Sequence, residues 1–191
     1  MGKLIYLITT SLDGFVADKD GNFNFAMPSE ESHAFVDEVL SNVGTILMGR
    51  KLYEVMKVWE DAPTEGVGGI IDDPSQAMND FAKIWHAAKK IVYSTSLNDV
   101  QIANARLERT FDPEAIQKLV AESDKDFDIG GPNLAGQAIK AGIVDEYHQV
   151  IAPIMIGSGN HWLPKDVKSK LKLVDERKFK NGFVHLQYGK I

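Results

Sequence analysis

The chain has 191 residues, 44% hydrophobic and 25% charged, as in an ordinary globular protein, and the length suits one domain over 1–191 better than two. It holds no cysteine, which excludes disulfides, iron–sulfur clusters, thiolate zinc and a cysteine nucleophile, and no run of ~18 apolar residues to span a membrane. Its 21 basic and 27 acidic residues give a net charge of −6 without long blocks of one sign, so nucleic acid, whose phosphates need a basic patch, is not an expected partner.

The N-terminus enters an apolar run too short for a secretion signal, and a cytoplasmic location is expected. Lys3 to Thr10 reads as a first strand, broken by Ser11-Leu12-Asp13-Gly14, and Asp18, Asp20, Gly21 and Asn22 mark a second loop. A helix is expected from Pro28 to Leu40. Ser29 and Ser32 stand at its start, Glu30 and Glu31 suit the positive dipole end, and Phe35, Val36, Val39 and Leu40 form its apolar stripe. Thr45 to Met48 is a short buried strand that passes through Gly49-Arg50 into a helix reaching Trp59. Glu60 to Ser75, rich in Gly, Pro and Asp, reads as an irregular excursion. There follow a helix from Gln76 to Ala88, a strand from Lys89 to Ser94, a weaker strand from Ala105 to Glu108 and a helix from Asp112 to Ser123. Phe127-Asp128-Ile129 leads to Gly130-Gly131-Pro132, then a helix runs from Asn133 to Ala141, closed by Gly142. Val144 to Pro153 is a strand, and Lys170 to Lys190 a hairpin around Asn181-Gly182. The fold class is α/β: a mixed, mostly parallel sheet flanked by helices, with a C-terminal antiparallel hairpin.

Ligands of open α/β sheets bind beyond the carboxyl ends of strands. Three such ends stand out: Met48-Gly49-Arg50, Tyr93-Ser94-Thr95-Ser96 and Ile129-Gly130-Gly131-Pro132. Two put glycine before a helix start, where free N–H groups and the dipole favour phosphate. Steric need alone also places glycine in such turns. Arg50 and the Ser/Thr cluster tip the reading toward a nucleotide. No G-x-G-x-x-G follows a strand, Gly66-Val67-Gly68-Gly69 precedes no helix pattern, and no Walker motif, H-E-x-x-H or G-x-S-x-G is present. His33, His86, His148, His161 and His185 lack metal-ligand spacing and read as packing or surface residues.

Ser11 to Ala17, Ile46 to Glu54, Val92 to Ser96, Ile129 to Leu134, Val144 to Tyr147 and Ala152 to Gly159 follow one another in an order and spacing that resembles the dihydrofolate-reductase-like superfamily. The resemblance is strongest to the branch formed by the reductase domain of riboflavin biosynthesis, the RibD C-terminal domain family, and its stand-alone bacterial relatives. It implies a three-layer fold and an NADPH-dependent reductase without the zinc deaminase domain that often accompanies it. By position, Gly49, Arg50 and Lys51 would meet the pyrophosphate and 2′-phosphate, and Ser94 and Thr95 the adenosine ribose. Gly130, Gly131, Pro132, Asn133 and Leu134 would lie along the cofactor, and Leu12 and Asp13 would reach the nicotinamide and substrate. Leu52 and Asn133 depart from residues that folate reductases use on the phosphates, so preference for NADPH rests on Arg50.

The resemblance further implies hydride transfer to an electrophilic C=N or C=O carbon of a small-molecule substrate, with a protein group supplying a proton. Asp13, Glu30 and Glu31 are the candidate carboxylates. Each has a plain alternative, the first as a turn residue and the others as dipole complements. The Pro28–Leu40 helix carries Glu30, Glu31, Asp37 and Glu38 but no Lys or Arg, an awkward wall for the phosphorylated riboflavin precursor. Competing readings are a nucleotide-binding protein that has lost catalysis and a true dihydrofolate reductase. A homodimer is expected, since the C-terminal hairpin leaves an edge to protect. Paired glycines in folate reductases imply a cis bond between Gly130 and Gly131.

Overall fold

The computed structural model describes residues 1–61 and 75–191. Nearly all of the expected excursion, with Gly66 to Gly69, lies outside the described residues. The strands are β1 (Leu4–Ser11), β2 (Phe15–Ala17), β3 (Val43–Gly49), β4 (Lys89–Tyr93), β5 (Ala105–Glu108), β6 (Asp126–Gly130), β7 (Glu146–Ala152), β8 (Asn160–His161), β9 (Leu171–Lys178) and β10 (Val184–Lys190). The helices are α1 (Glu30–Leu40), α2 (Arg50–Met56), α3 (Gln76–Ala87), α4 (Pro113–Ala121) and α5 (Pro132–Lys140). Eight strands form one sheet in the order β5-β4-β3-β6-β1-β7-β10-β9, and β2 pairs with β8 apart from it. The first six run parallel, while β10 and β9 are antiparallel, as the alternating pattern requires.

Side-chain alternation along the strands makes the three layers. Leu4, Tyr6, Leu47, Phe127 and Ile129 pack with Ile116 and Val120 of α4 and Leu134, Ala135 and Ala138 of α5. Ile5, Ile46, Met48 and Val92 face the other way, against Leu40 of α1, Tyr53 of α2 and Phe81 and Trp85 of α3. A third cluster joins Phe35 of α1 to Val150, Ala152, Phe179 and Phe183 under the hairpin.

The sheet divides at one place. β1 pairs with β6 only at Leu4↔Phe127 and Ile5↔Asp128. Beyond that, β1 stays with β7 up to Ser11↔Ala152, and β6 stays with β3 up to Met48↔Gly130. The carboxyl halves of β1 and β6 therefore part. From β1 the chain crosses through α1 to β3, beyond β6; from β6 it crosses through α5 to β7, beyond β1. This is the topological switch point of the sheet, where open α/β sheets take their ligands.

Three expectations need correction. No cis peptide bond occurs among the described residues, so the Gly130–Gly131 bond is trans. The chain turns from β6 into α5 through Gly131 itself, at φ 85° and ψ 127°, and so avoids the ~3–4 kcal/mol cost of a non-proline cis bond. Any support that a cis bond would have lent the glycine pair as a cofactor contact is gone. The helix expected to reach Trp59 tightens after Met56 into a 3₁₀ turn over Lys57–Glu60. The hairpin turn is longer than a two-residue Asn-Gly turn: Phe179 and Phe183 bond across it, and Gly182 (φ 86°) donates to the Phe179 carbonyl at 3.0 Å. Burial of both phenylalanines under α1 fixes the turn at that length.

Candidate functional site

Because the six strands from β5 to β7 are parallel, their turns gather on one edge. Pairing of Gly49 with Tyr93 and of Met48 with Gly130 sets three turns side by side, about 4.8 Å apart per strand. Gly49 precedes α2 in an extended conformation (φ −81°, ψ 167°), and no atom lies within 4 Å of where its Cβ would stand. Gly131 precedes α5, and neither helix has a side-chain cap among the described residues. The two central glycines have different reasons to be glycine. A Cβ on Gly130 would collide with Leu52 Cδ2, whereas Gly131 has space but needs its positive φ.

Arg50 begins α2 half-exposed, its Nη1 donating to Glu54 at 2.8 Å, and Lys51 beside it is exposed. The Ser94 hydroxyl is spent on its own turn, accepting from the N–H groups of Ser96 and Leu97 at 3.1 Å, while Thr95 is exposed. Pro132 opens α5 and Asn133 is exposed next to it. Leu134 is instead 6% exposed and packs into the sheet, so the structure places it in the core. Arg109, not singled out by motif, donates to the carbonyls of Ser94 and Leu97 and braces the β4 turn. Bare amide donors at the nine-residue α5, glycine-lined approach and Arg50 together fit the phosphates of a dinucleotide.

The opposite wall is apolar. Leu12, Met27, Ile154 and Met155 are exposed, and Leu12 N–H donates to the Ile154 carbonyl at 2.7 Å. Asp13 locks the β1 turn to this second loop. Its carboxylate accepts from Ser11 Oγ (2.6 Å), Ile156 N (3.2 Å) and Gly157 N (2.8 Å), and these bonds, Ser11 foremost, hold it below the usual carboxylate range. Glu30 reaches across to α3, accepting from Ala77 N at 3.1 Å, and its hydrogen bonds with Ser75 and Ala77 hold it low as well. Glu31 reaches the other way, accepting from Lys180 N at 3.0 Å in the hairpin turn. The three expected carboxylates thus share the edge but each is engaged in holding elements together.

Two other carboxyls differ. Asp37, 7% exposed on α1, has neither oxygen hydrogen-bonded among the described residues and lies 3.8 Å from His33 Nε2; burial, then Asp80 and Glu30, pushes it up to about 7. Asp128 stands at the last β1–β6 pair, at the foot of the split, on the face away from Phe127 and Ile129. Its Oδ1 is buried and unpartnered among the described residues, and burial pushes its carboxyl up to about 7. An acidic residue set between the apolar Phe127 and Ile129 was the signal that motif reading passed over. His148 and His185 form a buried stacked pair, Nδ1 to Nε2 at 3.1 Å, with Glu146 beyond at 3.4 Å. An open cavity of about 390 Å³ runs from Asn133 along α5 to Lys140, beside the β6 turn, and another of about 310 Å³ sits on the opposite edge, at the strand starts, by Glu38, Asp126 and Glu146.

Known proteins resemble this chain in sequence or in fold. The uncharacterised protein YyaP of Bacillus subtilis (strain 168) is 29% identical over 97% of this chain and 94% of its own. A putative riboflavin biosynthesis protein from Shewanella sp. PV-4 superposes over 100% of this chain and 99% of its own, with a TM-score of 0.73 at 18% identity. Dihydrofolate reductase from Enterococcus faecalis, solved with NADP(H), matches over 98% and 96% with a TM-score of 0.63 at 15% identity. The fold is therefore dihydrofolate-reductase-like. The profile of the RibD C-terminal domain matches residues 2–185, the span that holds both sides of the split and every turn on its edge; the chain belongs to the RibD C-terminal domain family.

Proposed function

We propose that this chain, acting as one unit over 1–191, is an NADPH-dependent reductase of a small heterocyclic substrate. The observation that carries the reading is the split between β1 and β6, flanked by the uncapped start of α5 on one side and the apolar Leu12–Met155 wall on the other. When bound, NADPH supplies a hydride. The chain's own residues bind and orient. The α5 amides and Arg50 hold phosphate, Gly131 lets it approach the backbone, and Leu12, Ile154 and Met155 exclude water from a flat ring. The acidic α1, which has no Lys or Arg, favours an uncharged or cationic heterocycle over a phosphorylated one.

The experiment is thermal melting with and without NADPH, joined to NADPH oxidation at its absorbance against pyrimidines, pteridines and quinones. A melting shift with turnover on one class is expected. Tight binding without turnover on any would favour a nucleotide-binding protein that has lost catalysis, and efficient turnover of dihydrofolate would identify a dihydrofolate reductase. A cytoplasmic homodimer completes the reading. Nearly all of β9 is exposed, Leu173 and Val174 included, and such an edge is covered in a stable protein. Light scattering at micromolar concentration is expected to give twice the chain mass, and a monomer would overturn it.

A further inference from the structure

The reductase reading leaves a gap, because Asp13, Glu30 and Glu31 are all committed to structural hydrogen bonds. We propose that Asp128, on β6 at the foot of the split, is the carboxyl that gives the substrate its proton. The proposal rests on the reductase reading and deepens it.

Position argues first. Asp128 forms the last pair of the β1–β6 ladder with Ile5, so it sits where the two strands begin to part. Beyond it, Leu7, Ile8 and Thr9 of β1 and Asp128 itself are partly exposed, in a sheet centre whose flanking residues Ile5, Tyr6, Phe127 and Ile129 are buried. Gly130 and Gly131 follow two and three residues later, so donor and cofactor edge belong to one strand end.

Chemistry argues second. A proton donor at neutral pH must be a carboxyl that stays protonated there, which needs burial without a compensating cation. Burial of Asp128 does this, and the Leu7 N–H, which bonds the carboxyl, is the only opposing influence among the described residues. No described Lys, Arg or His acts on it; of titratable groups, only Tyr6 on β1 registers its charge. The neighbours on its face, Ile5, Ile46 and Met48, are apolar. Oδ1 is buried and has no partner among the described residues, so its hydrogen-bonding capacity is unmet within the protein. A buried carboxyl oxygen left without a partner costs stability and persists where it is used.

The C=N carbon of the heterocycle accepts the hydride that NADPH gives up on becoming NADP⁺. The C=N π pair moves to nitrogen, and the Asp128 proton joins that pair. Asp128 is left as carboxylate and is reprotonated from water.

Asp128→Asn keeps the shape and removes the proton; Asp128→Ser is the second variant should Asn pack badly. The first readout needs no substrate. The ¹³C carboxyl resonance missing in Asp128→Asn is expected to titrate with a midpoint near 7 in the wild type. A midpoint near 4 would overturn the donor. A folded value above the unfolded one means the native state holds the proton longer, so its contribution favours folding least above pH 7 and declines from about pH 4 upward. Asp37 acts with the same sign, and the resonance assignment separates the two. The second readout is NADPH oxidation on whichever panel compound the wild type reduces. Asp128→Asn is expected to keep its NADPH melting shift, lose roughly 10²–10⁴ in hydride-transfer rate and lose the fall in rate above pH 7. Retained rate and retained alkaline limb would overturn Asp128 while leaving the reductase intact. A wild type without NADPH melting shift, or without turnover on any compound, would remove the reductase reading and the donor with it.

Discussion

Among the described residues, the five α-helices begin on the same edge of the sheet, yet they begin in two ways. Ser29, Ser75 and Asp112 cap α1, α3 and α4, accepting from Ser32 N (3.3 Å), Met78 N (3.3 Å), and Glu114 and Ala115 N (3.0 and 3.2 Å). The first N–H groups of those helices are satisfied from within. α2 and α5 begin at Gly49 and Gly131, whose missing side chains leave the same groups open. The open pair follows β3 and β6, adjacent strands on one side of the split, with β6 bordering it. The same local physics thus produces self-contained ends at one set of positions and anion-ready ends at another, and a single side chain decides between them.

Of these helix starts, Gly131 is the most sensitive to substitution. Gly131→Val forces a branched side chain into φ 85°, at roughly 1–3 kcal/mol, and is expected to melt lower and to lose its NADPH shift together. Preserved binding in a folded variant would show that the α5 start is not the phosphate contact. Gly49→Asp is gentler on the fold. The backbone there is extended and the space empty, so the new carboxylate caps α2 and the free protein melts no lower. Its charge is expected to abolish NADPH stabilisation worth ~2.7 kcal/mol at a hundredfold excess over Kd, read by melting with and without cofactor. Arg50→Ala is expected to weaken NADPH by roughly 1.5–3 kcal/mol and NADH by less, measured by titration calorimetry. Equal losses would remove the 2′-phosphate contact. Ser75→Ala and Asp112→Ala should each cost about 0.5–2 kcal/mol of stability in denaturant unfolding and leave NADPH affinity unchanged.

Much of the fold was legible from local patterns. Alternating strands and helices, the Ser29 and Asp112 starts and the closing Gly142 (φ 69°) sit where apolar spacing and capping chemistry place them. The edge carrying Gly49, Arg50, Thr95 and Gly131 was legible too, because strand-to-helix turns announce themselves by composition. What was not legible was long-range. Nothing near Asp13 or Glu31 in sequence reveals that they bond Gly157 and Lys180, 144 and 149 residues away. Leu134 looked like part of a ligand motif, but the helical turn after Gly131 points it into the sheet. Asp128 carried no motif; its importance comes from where β1 leaves β6, a property of two strands whose paired residues, such as Ile5 and Asp128, lie far apart in sequence.

The two glutamates at the start of α1 act as opposed guy-lines. Glu30 pulls toward α3, on the β3–β4 side, and Glu31 toward the hairpin turn beside β7, so one helix end is tethered across the gap that the sheet leaves open. Slackening either tether changes the width of the gap before it changes any chemistry. Substitution at Glu30 or Glu31 is therefore read in substrate KM and in hydrogen exchange at Ala77 or Lys180, while the pH limb of the rate stays where Asp128 sets it.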